Sequence, residues 1–162
     1  MKLNDKEVLV CNCEGTMDID GKALAKACLG GAQKTTKKNS KSGNLDVASH
    51  LCRTQLDEFQ RLADASDGLL VACTQEAPLF METLEEMGDK APDIRFTNIR
   101  ERAGWSKDAN AKSPQKTNIT AKMAALLAEA SLDIADAGSV TMTSGGALLV
   151  LGNDEKALDA AK

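Results

Sequence analysis

The clearest structural signal in the chain is Glu7-Val-Leu-Val-Cys11-Asn-Cys-Glu-Gly15, a short apolar run that ends at two cysteines and a glycine turn. A run of this length, bounded by a turn, is typical of a buried strand. The helical pattern of residues 20–29 follows, with Leu24 and Cys28 four positions apart on one face. This order predicts a strand followed by a helix, which is the first unit of an α/β fold.

The same alternation continues along the chain. Apolar runs at residues 45–51, 69–72 and 94–99 predict three more strands, and amphipathic patterns between and after them predict helices. Strands joined through helices favour right-handed crossovers and a parallel sheet. We therefore expect an α/β fold with a doubly wound, mainly parallel sheet of about four strands, similar to flavodoxin-like or Rossmann-like sheets.

The C-terminal stretch has a different pattern. Val140-Thr-Met-Thr143 and Ala147-Leu-Leu-Val-Leu151 flank a Ser-Gly-Gly turn, which predicts a β-hairpin. We expect residues 1–131 to form an α/β domain that carries the cysteines, with 31–44 as a mobile, lysine-rich insertion. We expect residues 132–162 to be a linker, the hairpin and the start of a following domain.

Composition excludes several classes of protein. The 162 residues carry a net charge of -4 and only 2% aromatic side chains, which argues against a general nucleic-acid binder. The longest apolar runs are far too short to span a bilayer, and the N-terminal residues lack the pattern of a secretory signal. We therefore expect a cytoplasmic protein with no membrane span and no nucleic-acid partner.

The five cysteines separate into two kinds. Cys11 and Cys13 follow the first predicted strand, Cys52 ends the second and Cys73 ends the third. Because the carboxyl ends of parallel strands meet at one edge of a sheet, we expect these four edge cysteines to converge there. Cys28 lies on the apolar face of a predicted helix, where a free cysteine packs as a small hydrophobic residue.

Several kinds of chemistry fit the edge cysteines. Four thiolates in one crevice suit a 4Fe-4S cluster or a zinc ion. A disulfide between Cys11 and Cys13, or between Cys52 and Cys73, would instead make a thiol-redox module. An interaction scaffold in which the cysteines only pack is a further alternative. His50 is the single histidine, so hydrolysis by a Ser-His-Asp arrangement is not expected.

Polar and aromatic residues next to the predicted edge complete the candidate site. Asn12, Thr74 and Gln75 are expected to donate hydrogen bonds to the sulfurs of a cluster. Trp105 is expected to pack as a lid over the rim of the pocket. The arginines of Arg100-Glu-Arg102 are expected to offset the negative charge of the cluster.

The order of these motifs resembles the N-terminal domain of the A-type subunit of heterodisulfide reductase. It is still more similar to the N-terminal part of long bacterial 4Fe-4S ferredoxin-type proteins related to that domain. The similarity runs from about residue 8 to 130 and is carried by Val10-Cys-Asn-Cys-Glu-Gly15, Val71-Ala-Cys-Thr-Gln-Glu-Ala77 and Asn98-Ile-Arg-Glu-Arg-Ala-Gly-Trp105. The resemblance implies that the four edge cysteines hold one 4Fe-4S cluster.

The chain departs from the family pattern at three places. Asn12 stands where the archaeal pattern has histidine, and Ala103 stands where the family has a further cysteine. Gly152 alone remains of a glycine-rich turn, so FAD is not implied. We expect an electron-transfer domain with one 4Fe-4S cluster and no independent enzymatic activity. It would be the N-terminal part of a larger iron-sulfur redox protein, served by a redox partner protein or by downstream domains.

Overall fold

A computed structural model of the protein describes residues 1–31, 45–110, 115–134, 138, 140–147 and 149–162. Within those residues, five strands form one open sheet: β1 (Lys2–Leu3), β2 (Lys6–Cys11), β3 (Val47–Ala48), β4 (Gly68–Ala72) and β5 (Asp93–Phe96). The α-helices are α1 (Gly21–Gly31), α2 (Leu56–Ala65), α3 (Ala77–Glu85), α4 (Gln115–Ser131) and α5 (Glu155–Ala160). A π-helical turn spans Arg100–Gly104, and short 3₁₀ turns span Gly88–Lys90 and Lys107–Asn110. None of these helices is long and apolar enough to cross a membrane.

The sheet is mixed, which confirms the α/β class, and it has one antiparallel strand beside the parallel ones. Strand β2 pairs in parallel with β3 and with β4, and β4 pairs in parallel with β5. The antiparallel member is β1, which joins β2 through a turn in which Asn4 and Asp5 both have positive φ, at 44° and 68°. Two such residues are typical of a tight hairpin turn. A doubly wound arrangement stays a prediction.

Alternate side chains of the central strands enter two apolar layers. Val8, Val10 and Leu70 pack in a cluster with side chains of α1 and α4, which we call the α1/α4 cluster. Leu9 and Leu69 pack with side chains of α2 and α3 in the α2/α3 cluster. Because both faces of β2 and β4 are covered, β4 and the last four residues of β2 are apolar at every position.

Helix α1 is fixed at its start. The carboxylate Oδ1 of Asp20 accepts hydrogen bonds from the amides of Lys22 and Ala23, both at 3.0 Å, and so caps the helix. Gly21 lies so close to the chain entering β3 that an added Cβ would collide with the carbonyl oxygen of Leu45. The cap and this close approach together set where α1 leaves the edge of the sheet.

The strand predicted over residues 45–51 is shorter in the structure. It is reduced to β3, because the amides of Ser49 and His50 donate hydrogen bonds to Oε1 of Gln55, at 2.8 and 2.7 Å. A side-chain amide thus replaces the next strand pairing and turns the chain toward α2. The predicted insertion at 31–44 lies outside the described residues from position 32 onward.

The predicted C-terminal hairpin is wrong for the described residues of that segment, which form no strand. Val140, Met142, Leu149 and Leu151 are between 79% and 87% exposed. A two-stranded hairpin is marginally stable unless its apolar side chains find a surface to cover. These side chains lie in solvent, so the alternating pattern alone does not produce the hairpin.

Candidate functional site

A cavity of about 240 Å³ lies at the carboxyl ends of β2, β3 and β4, and all four edge cysteines line it. Cys11 ends β2, Cys52 lies in the turn after β3, and Cys73 directly follows β4. The structure thus places these residues together at one edge, as the strand pattern predicts. Cys28 lies elsewhere, at 5% exposure within the α1/α4 cluster.

The predicted 4Fe-4S cluster is wrong, because the donor side chains are not arranged to hold it. Among the residues that the structure describes, no three His, Cys, Asp or Glu side chains are placed so that they could bind a metal ion. All five cysteines are free thiols. The same finding applies to the zinc alternative.

A left-handed turn after β2 explains why the edge cysteines do not form a ligand set. Cys13 and Glu14 have φ of 54° and 58°, and Gly15 has φ of 74°, so the chain leaves the strand conformation at Cys13. Cys13 therefore packs against the α1/α4 cluster, whereas the other three edge cysteines pack with the α2/α3 cluster. The sulfurs of Cys-Asn-Cys therefore lie against different apolar layers, although both residues line the cavity.

Hydrogen bonds to the neighbouring strand hold the turn in place. The amide of Asn12 donates to the carbonyl of Ala48, and the amide of Glu14 donates to the carbonyl of Ser49, both at 2.8 Å. The side chain of Asn12, predicted to donate to a cluster, instead accepts from the amide of Gly15 at 2.8 Å. These bonds offset the cost of the left-handed residues, which is on the order of 1–3 kcal/mol for each residue other than glycine.

Arg100 connects this turn to the loops around it. Its Nη1 donates to Cys13 Sγ at 3.5 Å, its Nη2 donates to Gln75 Oε1 at 2.8 Å, and its Nε donates to Glu101 Oε1 at 2.7 Å. The contact with Glu101, and after it the contact with Cys13, raises the pKa of Arg100. In return Arg100 lowers the pKa of the Glu101 carboxyl. A fixed positive charge therefore lies against the sulfur of Cys13.

The π-helical turn brings Trp105 against the same guanidinium. The amide of Trp105 donates to the carbonyl of Arg100 at 2.8 Å, five residues earlier. This wider turn leaves the guanidinium carbon 4.3 Å from the centroid of the indole, a cation–π contact. Trp105 Nε1 also donates to Thr16 Oγ1 at 3.1 Å. Trp105 thus contacts Arg100 and the end of the left-handed turn, and it is 48% exposed.

The remaining predicted donors lie on the loop between β4 and α3. Thr74 and Gln75 both line the cavity. The carbonyl of Thr74 accepts a hydrogen bond from the amide of Ala77 at 3.4 Å, where α3 begins. Gln75 points its Oε1 at Arg100 rather than at a sulfur. The loop therefore contributes to the cavity wall and to the position of the guanidinium.

Cys52 has a different electrostatic environment from Cys13. Burial raises the pKa of the Cys52 thiol, and the negative charges of Glu76 and then of Cys73 raise it further. Burial also raises the pKa of Cys28, in this case to about 11. Both thiols therefore stay protonated at neutral pH.

No sequence pattern predicts a group of polar side chains at the mouth of the cavity, formed by Glu14, His50 and Arg53. Glu14 Oε1 lies 3.9 Å from Arg53 Nε and 4.0 Å from His50 Nε2, and these side chains are between 43% and 71% exposed. Exposed pairs of this kind contribute little to stability. The pairing arises because β3 lies next to the turn after β2, which no local pattern of residues 14, 50 and 53 could reveal.

Comparison with protein families, with curated proteins and with solved structures gives no match to this chain. The resemblance to the A-type subunit of heterodisulfide reductase, with the electron-transfer role that it implies, stays a prediction.

Proposed function

We propose that this chain is a thiol-redox module that exchanges electrons with a redox partner protein, or with a neighbouring domain, by thiol–disulfide exchange. Cys13 is the attacking thiol. The observation that carries the proposal is the 3.5 Å contact between Arg100 Nη1 and Cys13 Sγ at the cavity. The thiolate is the nucleophile in such exchange, and a neighbouring cation is a common means of stabilising it.

Position also distinguishes Cys13 from Cys11. Cys13 is half-buried and lies on the turn outside the sheet, whereas Cys11 is 8% exposed at the end of β2. The raised pKa of Cys52 makes that thiol a poor nucleophile at neutral pH. The proposal also takes the helices on both faces of the sheet as a doubly wound arrangement, in which ligands approach the carboxyl ends of the strands.

The exchange begins with attack on a disulfide of the partner. The thiolate of Cys13 forms a bond with one partner sulfur, the partner's S–S bond breaks, and the other sulfur leaves with the electron pair and takes a proton from water. A second thiol of this chain then attacks Cys13 and releases the first partner sulfur, which is protonated in turn. Two electrons and two protons pass from the chain to the partner, and the chain keeps an internal disulfide.

Three neighbouring side chains fix the position of Arg100 next to Cys13. Gln75 and Glu101 each accept a hydrogen bond from it, and the ring of Trp105 covers one side of the guanidinium. A planar guanidinium fixed at several points loses less conformational freedom when the sulfur becomes charged than a lysine would. Gln75, Glu101 and Trp105 are positioning residues in this scheme.

The test measures how fast glutathione disulfide forms an adduct at Cys13, followed by intact mass and peptide mapping. Arg100→Gln should slow this reaction by about tenfold, because it removes a charge next to the attacking sulfur. Arg100→Lys should recover part of the rate. The matched control is Arg102→Gln, since Arg102 lies two residues away, is 59% exposed and pairs with Glu129 at 4.0 Å. That variant should react like the wild type.

Two outcomes would overturn the proposal. One is an adduct that forms as fast in Cys13→Ser as in the wild type, which would place the reactive thiol elsewhere. The other is iron and acid-labile sulfide in amounts comparable to the protein after anaerobic purification, which would show that the thiols serve a cluster. Cys28→Ser should leave the reaction unchanged, because this thiol is buried away from the cavity.

A further inference from the structure

The sulfur of Cys11 is held against the backbone of Cys13. The amide of Cys13 donates a hydrogen bond to Cys11 Sγ at 3.4 Å. Cys11 closes β2 and is 8% exposed, so its sulfur is fixed by the sheet and shielded from a large partner. A partner disulfide therefore reacts with Cys13 first, and the Cys11 sulfur already contacts the backbone amide of Cys13.

We infer that Cys11 is the resolving cysteine, which attacks the mixed disulfide at Cys13 and closes an internal Cys11–Cys13 disulfide. The inference rests on the proposed function, because it needs Cys13 to form the mixed disulfide. Of the four edge cysteines, Cys11 is the one whose sulfur accepts a hydrogen bond from residue 13 in the described structure.

The bond requires a movement of the Cys13 side chain, since both cysteines are free thiols in the structure. The backbone of the turn is tied to β3 by the amides of Asn12 and Glu14, so rotation about the Cα–Cβ bond of Cys13 is the movement available. This rotation takes the sulfur away from Arg100.

The charge balance favours that rotation once the mixed disulfide has formed. A disulfide sulfur carries no negative charge, so its hydrogen bond with Arg100 is weaker than that of a thiolate. Arg100 keeps its bonds to Gln75 and Glu101 and stays in place. Arg100 thus interacts more strongly with the thiolate of Cys13, which attacks the partner, than with the mixed disulfide, which Cys11 resolves.

The resolving step transfers the electrons of the cysteine thiols to the sulfur of the partner. Cys11 gives its proton to water and forms a bond from its sulfur to Cys13 Sγ. The bond between Cys13 and the partner breaks, and the partner sulfur leaves with the electron pair and is protonated. Two cysteine thiols are oxidised to one disulfide, and one partner disulfide is reduced to two thiols.

Cys52 and Cys73 are the rival resolving residues. They pack with the α2/α3 cluster, as Cys11 does, but in the described structure neither sulfur has the contact with the Cys13 amide that Cys11 has. Burial, and after it the interactions with Glu76 and Cys73, raise the pKa of Cys52, so this thiol is a poor nucleophile at neutral pH. Cys11 therefore needs the smaller movement to reach the mixed disulfide.

The experiment treats the reduced full chain with one equivalent of glutathione disulfide and analyses it without reductant. In the wild type, both halves of the probe should be released as glutathione, and no adduct should remain. Tryptic peptide Glu7–Lys22 contains both Cys11 and Cys13, so it should become lighter by two hydrogens. In Cys11→Ser, one glutathione should be released and the other should stay on Cys13.

The outcomes separate this inference from the proposed function. Retention of the adduct in Cys52→Ser or Cys73→Ser, together with its loss in Cys11→Ser, would overturn the role of Cys11 alone. A disulfide that links the peptides of Cys52 and Cys73 in the wild type would do the same. If Cys11→Ser releases no glutathione and Cys13 carries no adduct in any of these variants, the proposed function fails as well. The wild-type peptide map decides the point even if substitution of the buried Cys11 unfolds the chain.

Discussion

The cavity at the carboxyl ends of the strands and the interface between α1 and α4 both contain cysteine, but the two regions surround the thiol with opposite environments. Cys28 packs with Leu24 in the α1/α4 cluster, and burial raises its pKa to about 11. Cys13 lies on a strained turn, half-buried and in contact with a charged guanidinium. A regular helix buries a thiol among apolar side chains, whereas an irregular turn can place one beside a cation.

The comparison shows that local backbone geometry decides the chemistry of a cysteine as much as its exposure does. A regular element repeats its side-chain directions, so its cysteine shares the environment of the apolar residues around it. A turn outside the sheet directs each side chain separately.

Alkylation by iodoacetamide should separate the two regions most strongly. Cys28 should react at least about a thousandfold more slowly than Cys13 at neutral pH, because it becomes accessible only when the protein opens. Peptide mass spectrometry over a time course measures both rates in one sample. Comparable rates at the two residues would mean that the α1/α4 interface opens freely. Cys28 and Cys13 would then not differ in accessibility.

Leu24→Ala should destabilise the interface between α1 and α4. Leu24 is fully buried, so the substitution should lower the free energy of unfolding by about 2–5 kcal/mol, as measured in urea. The same variant should speed the alkylation of Cys28 and leave that of Cys13 nearly unchanged. Leu158→Ala is the matched control, because Leu158 is 67% exposed and its loss should change stability by less than about 0.5 kcal/mol. Equal losses in both variants would contradict the description of this core.

The raised pKa of Cys28 predicts a dependence of stability on alkaline pH. Below pH 9 the thiol is protonated in the folded and the unfolded chain, so it adds no pH dependence. Between pH 9.0, the ordinary value, and about 11, the unfolded chain loses this proton and the folded chain keeps it. The free energy of unfolding should therefore fall as the pH rises through this window, by up to about 3 kcal/mol.

Urea unfolding of the wild type and of Cys28→Ala at several pH values measures this dependence. The difference between their slopes isolates the thiol from the lysines, which also titrate in this range. Parallel slopes for the two proteins would show that Cys28 ionises in the folded state as easily as in the unfolded chain.

The smallest expected effect concerns the start of α1. Asp20→Ala should lower the free energy of unfolding by about 1 kcal/mol, because two amides lose their acceptor. Asp20→Asn keeps an oxygen in the same position and should be close to neutral. A large loss in the asparagine variant would show that the charge of Asp20, rather than its cap, holds the helix.

Much of the fold follows from the sequence because its strands are short apolar runs with clear ends. Val8 to Cys11 and Leu69 to Ala72 are buried on both faces, which makes them strand-like whatever lies around them. Strand β1 escapes prediction because two residues give no periodicity, although the turn at Asn4 and Asp5 is a signal for it. The C-terminal hairpin is the opposite case, in which strands are predicted but the described residues form none. Apolar side chains without a surface to cover do not stabilise a strand.

The site is predictable only at the level of the sheet. The cysteines meet at one edge because strand order and strand ends place them there. Their use as cluster ligands fails at the positive φ of Cys13, a backbone angle uncommon in residues other than glycine and not marked by any local pattern. The contacts of Arg100 with Gln75 and Cys13 depend on a π-helical turn that packs against two distant loops. Only the folded chain reveals such contacts.

The stacking of Arg100 on Trp105 has an optical consequence. Trp105 is the single tryptophan, so the ultraviolet emission of the protein reports almost entirely on one indole. Its ring lies 4.3 Å from the guanidinium that touches the sulfur of Cys13. In the proposed resolving step Cys13 turns away toward Cys11, so the charge distribution against the ring should change. Under that proposal, the fluorescence of this indole should follow the oxidation state of the thiols without a label.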